Sequence, residues 1–367
     1  MPTRRSVIGN ARLAAQTLHA QLGTDFSRPI DVFQIVQDLQ IWLTTRSLGG
    51  LYGFFLKEGD AVGIVLNDAH PEYLQRYTCA HELGHHVLGH TSHLDHEEQI
   101  EKRAVDGRWD ELAAQTFAGA FLMPLQSLNR VHRRLGISRE RAPSAGEVYL
   151  ISRELDVSFA AAAWQLVSLN RLDAGAARDY IRRGAAAAKN ALRPGPSPTG
   201  DNRAGLAVLG LQQNGLPVLC RTGDELRVRL PENASTGYVW RFLDAHPADR
   251  PGTAWDGEEG LTAAAADPAA SSTRAPASSV RLLHERYAPQ DGVGATAGTV
   301  IGHGGLRELV FIAEAPGSHE IRAQLGRPWE PGAVDEFRTR VRVAPRHSVS
   351  GFAEAQRRSY IARLIGA

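Results

Sequence analysis

The segment Arg193-Pro-Gly-Pro-Ser-Pro-Thr-Gly-Asp201 constrains this chain more than any other stretch. Repeated Pro and Gly admit neither a helix nor a strand ladder, so it reads as a linker. Before it, apolar residues recur at helical spacing. After it, that period vanishes and short alternating runs take over. One core cannot serve both patterns, and 367 residues are enough for two domains. We expect a domain over 1–195, a linker over 196–204, a second domain over 205–345 and a tail over 346–367 with the spacing of a short helix. The apolar fraction of 43% and the charged fraction of 22% suit folded domains.

On the N-terminal side, Val7, Ala11, Leu13, Ala14 and Leu18 predict a helix over 4–22, and Pro29-Ile-Asp31 opens another over 30–40. Leu51–Leu56 and Val62–Leu66 are β-rich runs around a hairpin signal, Lys57-Glu-Gly-Asp60. Pro71 opens a helix reaching about Gly89 or His90. A polar stretch over 91–107 leads to a helix near Trp109–Leu122, stopped by Pro124, and two or three more helices reach about Leu192. Beyond the linker, Val218–Cys220, Leu226–Leu230, Tyr238–Phe242, Glu308–Ala313, His319–Ala323 and Phe337–Val343 alternate between turns. Residues 262–279 are an Ala/Ser/Pro-rich, low-complexity insert. The expected fold class is multidomain, a mostly helical α+β domain followed by an all-β sandwich.

Charge excludes some functions. The formal net charge is +1, which argues against binding nucleic acid through a general basic surface. Residues 58–111 hold twelve acids against four bases, while 130–193 hold twelve bases against six acids. Arg133, Arg134, Arg139, Arg141, Arg178, Arg182, Arg183, Lys189 and Arg193 could face a phosphate backbone, but few aromatics interleave them, and a solvated helical face is the favoured reading. Two cysteines, Cys79 and Cys220, build no disulfide framework and suit a reducing compartment. Arg4-Arg5 is followed by no apolar h-region, and no run reaches the roughly 18 apolar residues of a membrane span, so the expected location is the cytoplasm, with no membrane partner.

His81-Glu82-Leu83-Gly84-His85 is an H-E-x-x-H motif. On a helix, positions i and i+4 share a face, so both imidazoles can reach one ion. Glu82 sits about 100° round that helix, near enough to act on water without ligating the metal. Zinc lowers the pKa of its bound water to about 7, and the carboxylate then serves as general base. Glu111, early in a strongly helical segment, supplies a third ligand of the right type, with Asp106 or Asp110 as alternatives. Two His and one Glu leave a fourth position open, the catalytic and not the structural arrangement. One zinc ion per chain is expected. His86 and His90 fall off the metal face and read as packing or capping residues. His93, His96, Glu97, Glu98 and Glu101 read as a solvated acidic loop. Gly63-Ile-Val-Leu-Asn67 could serve as a sheet edge for an extended substrate, or simply as core. Tyr52, Tyr77 and His86 all stay open as oxyanion donors.

The stretches His81-Glu-Leu-Gly-His-His-Val-Leu-Gly-His90 and Glu111-Leu-Ala-Ala-Gln-Thr-Phe-Ala-Gly-Ala-Phe-Leu-Met-Pro124 resemble the ImmA/IrrE family of metallopeptidases, whose second signature runs E-x-x-A-N/Q-x-F-A-x-x-L-L-M-P. The resemblance spans roughly 8–172, with Ser158–Leu166 as a usual continuation. It implies a zincin-like catalytic domain that cuts a helix-turn-helix repressor, inducing stress, defence or mobile-element genes.

Three loop motifs stand out in the second domain: Asn233-Ala-Ser-Thr-Gly-Tyr238, with Thr236 and Gly237 before the aromatic; Gly302-His-Gly304-Gly305; and Arg327-Pro328-Trp329. In this order they resemble the loops of the chagasin family, N-P-T-T-G-Y, G-x-G-G and R-P-W/F. That family has an immunoglobulin-like sandwich and inhibits papain-like cysteine proteases. Ala234 and Ser235 replace the family's Pro and Thr. The resemblance implies a protein or peptide partner at these loops, and we expect a sensor or regulator of the peptidase. Cys220 could alternatively hold the enzyme latent by offering a thiolate to the open zinc position. The rival class is a non-catalytic binding or regulatory protein, or a cysteine protease inhibitor, with a latent zinc site.

Overall fold

The structure, a computed structural model, describes residues 3–59, 61–90, 94–96, 109–193, 197–198, 200–201, 204–243, 279–289 and 304–345. The tail over 346–367 and the insert over 262–278 lie outside these residues, as do Gly302 and the acidic loop apart from the backbone of His96. The chain divides into two compact units, Met1–Pro196 and Ser197–Arg346.

In the first unit, helix α1 (Arg4–Leu22) is closed at its start by a capping box between Thr3 and Ser6 and buries Ala11, Ala15 and Leu18. Helix α2 (Val32–Asp38) is capped by Asp31, whose side chain accepts from the Gln34 N–H. Strands β1 (Trp42–Arg46), β2 (Leu51–Glu58) and β3 (Ala61–Asn67) precede α3 (Glu72–Val87), and a short β4 (Leu94–His96) follows it. Strand order is β1-β3-β2-β4, with β1 parallel to β3 and the other pairs antiparallel. The β2–β3 pair is the hairpin expected around residues 57–60. Strand β1 carries no such signal in the sequence, because Trp-Leu-Thr-Thr-Arg is brief and shows no apolar–polar alternation.

The position of β3 corrects one expectation. Both its edges are occupied, by β1 and by β2, so Gly63–Asn67 is not an edge that a substrate could extend. Helix α4 (Trp109–Leu122) then packs on α1 and α3, burying Glu111, Ala114, Phe117, Ala118 and Phe121. Four further helices follow where two or three were predicted: α5 (Leu125–Leu135), α6 (Ala145–Leu155), α7 (Phe159–Ser168) and α8 (Ala174–Asn190). Ser144, Ser158 and Asp173 each cap a new N-terminus, cutting what looks in the sequence like longer periodic stretches. Among the described residues no helix is long and apolar enough to cross a membrane.

The second unit stacks two open four-stranded sheets. One runs β5 (Leu206–Leu209), β7 (Glu225–Glu232), β10 (Gly305–Ala313), β9 (Val280–Pro289); the other runs β6 (Val218–Arg221), β12 (Asp335–Ala344), β11 (Gly317–Gly326), β8 (Val239–Phe242). Alternating residues face inward from both sheets: Leu226, Val228, Leu230, Leu309 and Phe311 meet Trp240, Phe242, Ile321, Phe337 and Val341. Strands β5 and β9 are hard to see in the sequence, the first being a brief apolar run and the second adjoining the low-complexity insert.

Candidate metal centre and binding loops

Helix α3 carries the motif with its chemistry turned inward: His81, Glu82 and His85 are all fully buried. Gly84 lets α4 come close, since a Cβ there would lie 3.0 Å from the Phe117 ring and 3.3 Å from the Ala114 Cα. That approach brings the first turn of α4, and with it Glu111, onto the histidine pair. The His81 and His85 Nε2 atoms are 3.2 Å apart. The Glu111 carboxylate lies 3.4 Å from His81 Nε2 and 3.7 Å from His85 Nε2. All three offer a ligand atom within 4.8 Å of the others.

These separations suit a metal. Zinc–nitrogen bonds of about 2.0–2.1 Å in a tetrahedral arrangement place ligand atoms roughly 3.3 Å apart. Two Nε2 atoms facing each other can share at most one proton, whereas a cation satisfies both lone pairs and the carboxylate together. Glu111 is 4% exposed, and a carboxylate so enclosed requires such compensation.

His90 is a packing residue, as expected, but its contact falls on a metal-facing histidine. The chain turns after Leu88, and the His90 ring comes back over α3 with Nδ1 3.0 Å from His85 Nδ1. On its other side, His90 Nε2 lies 3.5 Å from the Asp110 carboxylate. Neighbouring residues of α4 therefore address opposite sides of His85, Glu111 directly and Asp110 through His90. Helical spacing alone hides this, because the contact is made after the helix has ended. Asp106, the other alternative ligand, lies outside the described residues.

The surroundings of the cluster are dry. Burial, reinforced by the charge of Glu82, pushes the Cys79 thiol well above its ordinary range, so it stays protonated. Burial, with Lys57 adding, holds His86 below the ordinary imidazole value. His86 packs on Phe55 and borders a cavity of about 590 Å³ against α1, lined by Asn10, Leu13, Thr17 and Gln21. Tyr52 packs against His70, at 4.7 Å between ring centroids.

In the second unit the described parts of the three loops meet at one end. Ser235 donates to the Asn233 side chain and Thr236 to the Asn233 carbonyl, at 2.7 Å each, closing the turn. Gly237, at φ 76°, leaves room for Trp329: a Cβ there would fall 2.7 Å from the indole. The Arg327 guanidinium lies 4.5 Å from the Tyr238 ring centroid, donates to the Thr236 carbonyl at 3.2 Å and pairs with Glu330 at 2.7 Å. Pro328 is exposed, and Trp329 is 70% exposed. Gly304 and Gly305 line an open cavity of about 340 Å³ with Asn233, Thr236 and Tyr238. Glu232, which no sequence motif singles out, anchors this end. Its buried carboxylate accepts from the Trp240 N–H at 2.8 Å and twice from Arg307, at 2.5 and 3.0 Å.

Residues 38–166 match the family model described as IrrE N-terminal-like domain, and residues 220–343 match the chagasin family peptidase inhibitor I42 model. An IrrE-like domain and a chagasin-like domain share this chain. Similar solved structures include the cysteine protease inhibitor EhICP2 from Entamoeba histolytica, at 16% identity and a TM-score of 0.26, covering 38% of this chain and 97% of that one. Amebosin is 19% identical with a TM-score of 0.24, covering 38% of this chain and 99% of that one. PbICP-C, in a complex with falcipain-2, is 17% identical with a TM-score of 0.21, covering 39% of this chain and 91% of that one. No curated protein matches the chain.

The core of the chagasin-like domain disposes of the thiol latch. Cys220 is 1% exposed on β6, enclosed with Val218, Leu226 and Val343 in its own unit. A thiol so enclosed is unavailable to an ion held elsewhere, and its surroundings are those of an ordinary buried cysteine. Four of the nine basic residues have acidic partners: Arg134 pairs with Glu154, Arg141 with Glu147, and Arg182 and Arg183 with Asp179.

Proposed function

We propose that the IrrE-like domain is a zinc-dependent endopeptidase, with His81, His85 and Glu111 as ligands of one zinc ion and Glu82 as general base. The observation that carries this reading is the convergence of two imidazole nitrogens and a carboxylate in a buried cluster, one residue from a second buried carboxylate. When bound, the ion would supply Lewis-acid polarisation of the scissile carbonyl and a lowered water pKa. Glu82 takes the proton of the attacking water and returns it to the leaving amine. His90 and Asp110 hold the His85 ring in place. The packed helices α3 and α4 exclude bulk water, which strengthens each of these interactions.

The substrate we propose is a helix-turn-helix transcriptional repressor, cut at one site in the cytoplasm, which induces stress, defence or mobile-element genes. The chagasin-like domain acts as sensor or regulator, taking a protein or peptide at the Asn233–Tyr238, Gly304–Gly305 and Arg327–Trp329 loops. The test is cleavage. The full chain, with and without Glu82→Gln, is incubated with the helix-turn-helix regulators of its host and the products are read by mass spectrometry. A single cut made only by the Glu82 form supports the reading; no cut by zinc-loaded protein, in any combination, removes it.

The exposed Trp329 beside Gly237 favours a second reading for the chagasin-like domain, as an inhibitor of cysteine proteases. Absence of papain inhibition at nanomolar protein would remove that reading and leave the regulatory one.

A further inference from the structure

The outer face of the β6-β12-β11-β8 sheet is an arginine field. On β12, Phe337, Thr339, Val341 and Val343 point inward, so Arg338, Arg340 and Arg342 share the opposite face and are exposed. The ladder sets Arg338 opposite Arg322, Arg340 opposite Glu320, and Arg342 opposite Ser318 on one side and Leu219 on the other. On β8, Arg241 pairs with Gln324 and is also exposed. The patch spans roughly 14 Å along β12, and adjacent strands lie about 4.8 Å apart.

Three observations separate this face from ordinary surface. First, it is not a by-product of composition, because residues 205–345 hold 14 bases against 17 acids. Second, among the described residues no carboxylate pairs with Arg338, Arg340 or Arg342, whereas Arg281, Arg286, Arg307 and Arg327 each pair with a Glu. Glu320 approaches Arg322, at 3.9 Å. Third, like charges directly opposite on a sheet, here Arg338 and Arg322, oppose pairing. The sheet keeps the two cations opposite each other at that cost.

The geometry points to this face as a docking surface for the phosphate backbone of duplex nucleic acid, read without regard to sequence. The cations are all guanidiniums, the side chain whose planar fork matches phosphate. A duplex offers one negative charge per about 1.7 Å of axis, the dense regular array that a flat field of cations can meet. An acidic peptide fits less well, since peptide recognition needs apolar anchors in pockets. The outward residues here are mostly charged or polar, Glu320 and Glu336 among them, and the apolar ones (Leu219, Val239 and Ala344) form no pocket among the described residues. Stacked single-stranded bases are disfavoured too, because these outward positions include no aromatic ring. The arginine field shares no residue with the metal cluster, so its function does not depend on the peptidase reading.

The test uses the full chain, fluorescently labelled duplexes of about 25 base pairs in two unrelated sequences, and salt between about 50 and 200 mM. We expect both duplexes to bind alike, with affinity falling steeply as salt rises. The triple variant Arg338→Gln, Arg340→Gln, Arg342→Gln should flatten the salt slope by about 2.7, at about 0.9 for each phosphate no longer neutralised. The triple Arg→Lys variant should keep the slope, which guards against a folding defect in the first. The pair Arg182→Gln, Arg183→Gln should change nothing. No binding at low salt overturns the inference, as does binding that survives the Gln triple unchanged. Poly-glutamate bound more tightly than duplex would also overturn it, in favour of an acidic protein.

Discussion

Glu82, one residue from the first histidine of the cluster, should be separable from metal binding. Glu82→Gln keeps the shape and removes the basicity, so we expect cleavage to fall by about 10²–10⁴-fold while bound zinc, measured by elemental analysis, stays at the wild-type level. His90 should show the converse. It touches His85 and not the reacting atoms, so His90→Ala should weaken zinc affinity by about 10–100-fold in a chelator competition. Partial recovery in His90→Asn, which can still accept the His85 N–H, would distinguish orientation of the ring from simple packing. Unchanged zinc affinity in His90→Ala would refute the positioning role. At this scale the sequence says which groups are chemically able to act. His81, Glu82 and His85 are legible because their spacing needs only a helix, whereas His90 is not, because its contact depends on the turn after that helix.

At the scale of elements, two close contacts hold the sites in shape. Gly84→Ala would press a methyl onto Phe117 and force α3 and α4 apart, which should cost about 1–3 kcal/mol and loosen zinc binding in step. Equal zinc affinity in a destabilised variant would show that the helix spacing is not what places Glu111. In the chagasin-like domain, Glu232→Gln leaves Arg307 and the Trp240 N–H with a weaker acceptor deep in the sheet. A loss of about 2–3 kcal/mol in denaturant unfolding is expected, together with weaker binding of any partner at the loops. Neither contact is visible in one dimension. The α3–α4 approach joins residues on separate helices, and the Glu232–Arg307 pair joins strands β7 and β10 across 75 positions of chain. The helices and most strands themselves are legible, because period 3.6 and period 2 are local properties. Strands β1, β5 and β9 are not, since the first two are short and the third adjoins the low-complexity insert.

For the whole molecule, buried and half-buried histidines shape the response to acid. Burial is the first cause holding His19, His132 and His284 below the ordinary imidazole value of about 6.5, with nearby arginines adding for the last two. The unfolded chain takes up these protons near that value and the folded chain only at lower pH. Stability is therefore fully present above about pH 6.5 and falls as pH drops through the folded values. The denaturation midpoint of chelator-treated protein should be lower at about pH 5.5 than at about pH 7.5; an unchanged midpoint would show that these imidazoles can be charged in place. Charge tells a second whole-molecule story. A formal net charge of +1 hides an arginine face on one sheet, because adding up a chain discards position.

Taken alone, the amino-acid order determined that there are two kinds of structure on either side of residues 193–201, and which side chains carry metal-ligating and loop chemistry. It could do so because linker composition, helical spacing and motif order are properties of neighbours along the chain. Only the tertiary structure decided that Glu111 reaches the two histidines, that His90 backs His85, that β3 is interior, that Cys220 is core and that arginines of β8, β11 and β12 gather on one face. Those facts depend on which distant segments meet, and the meeting is decided by packing of buried apolar surface, which no local pattern records.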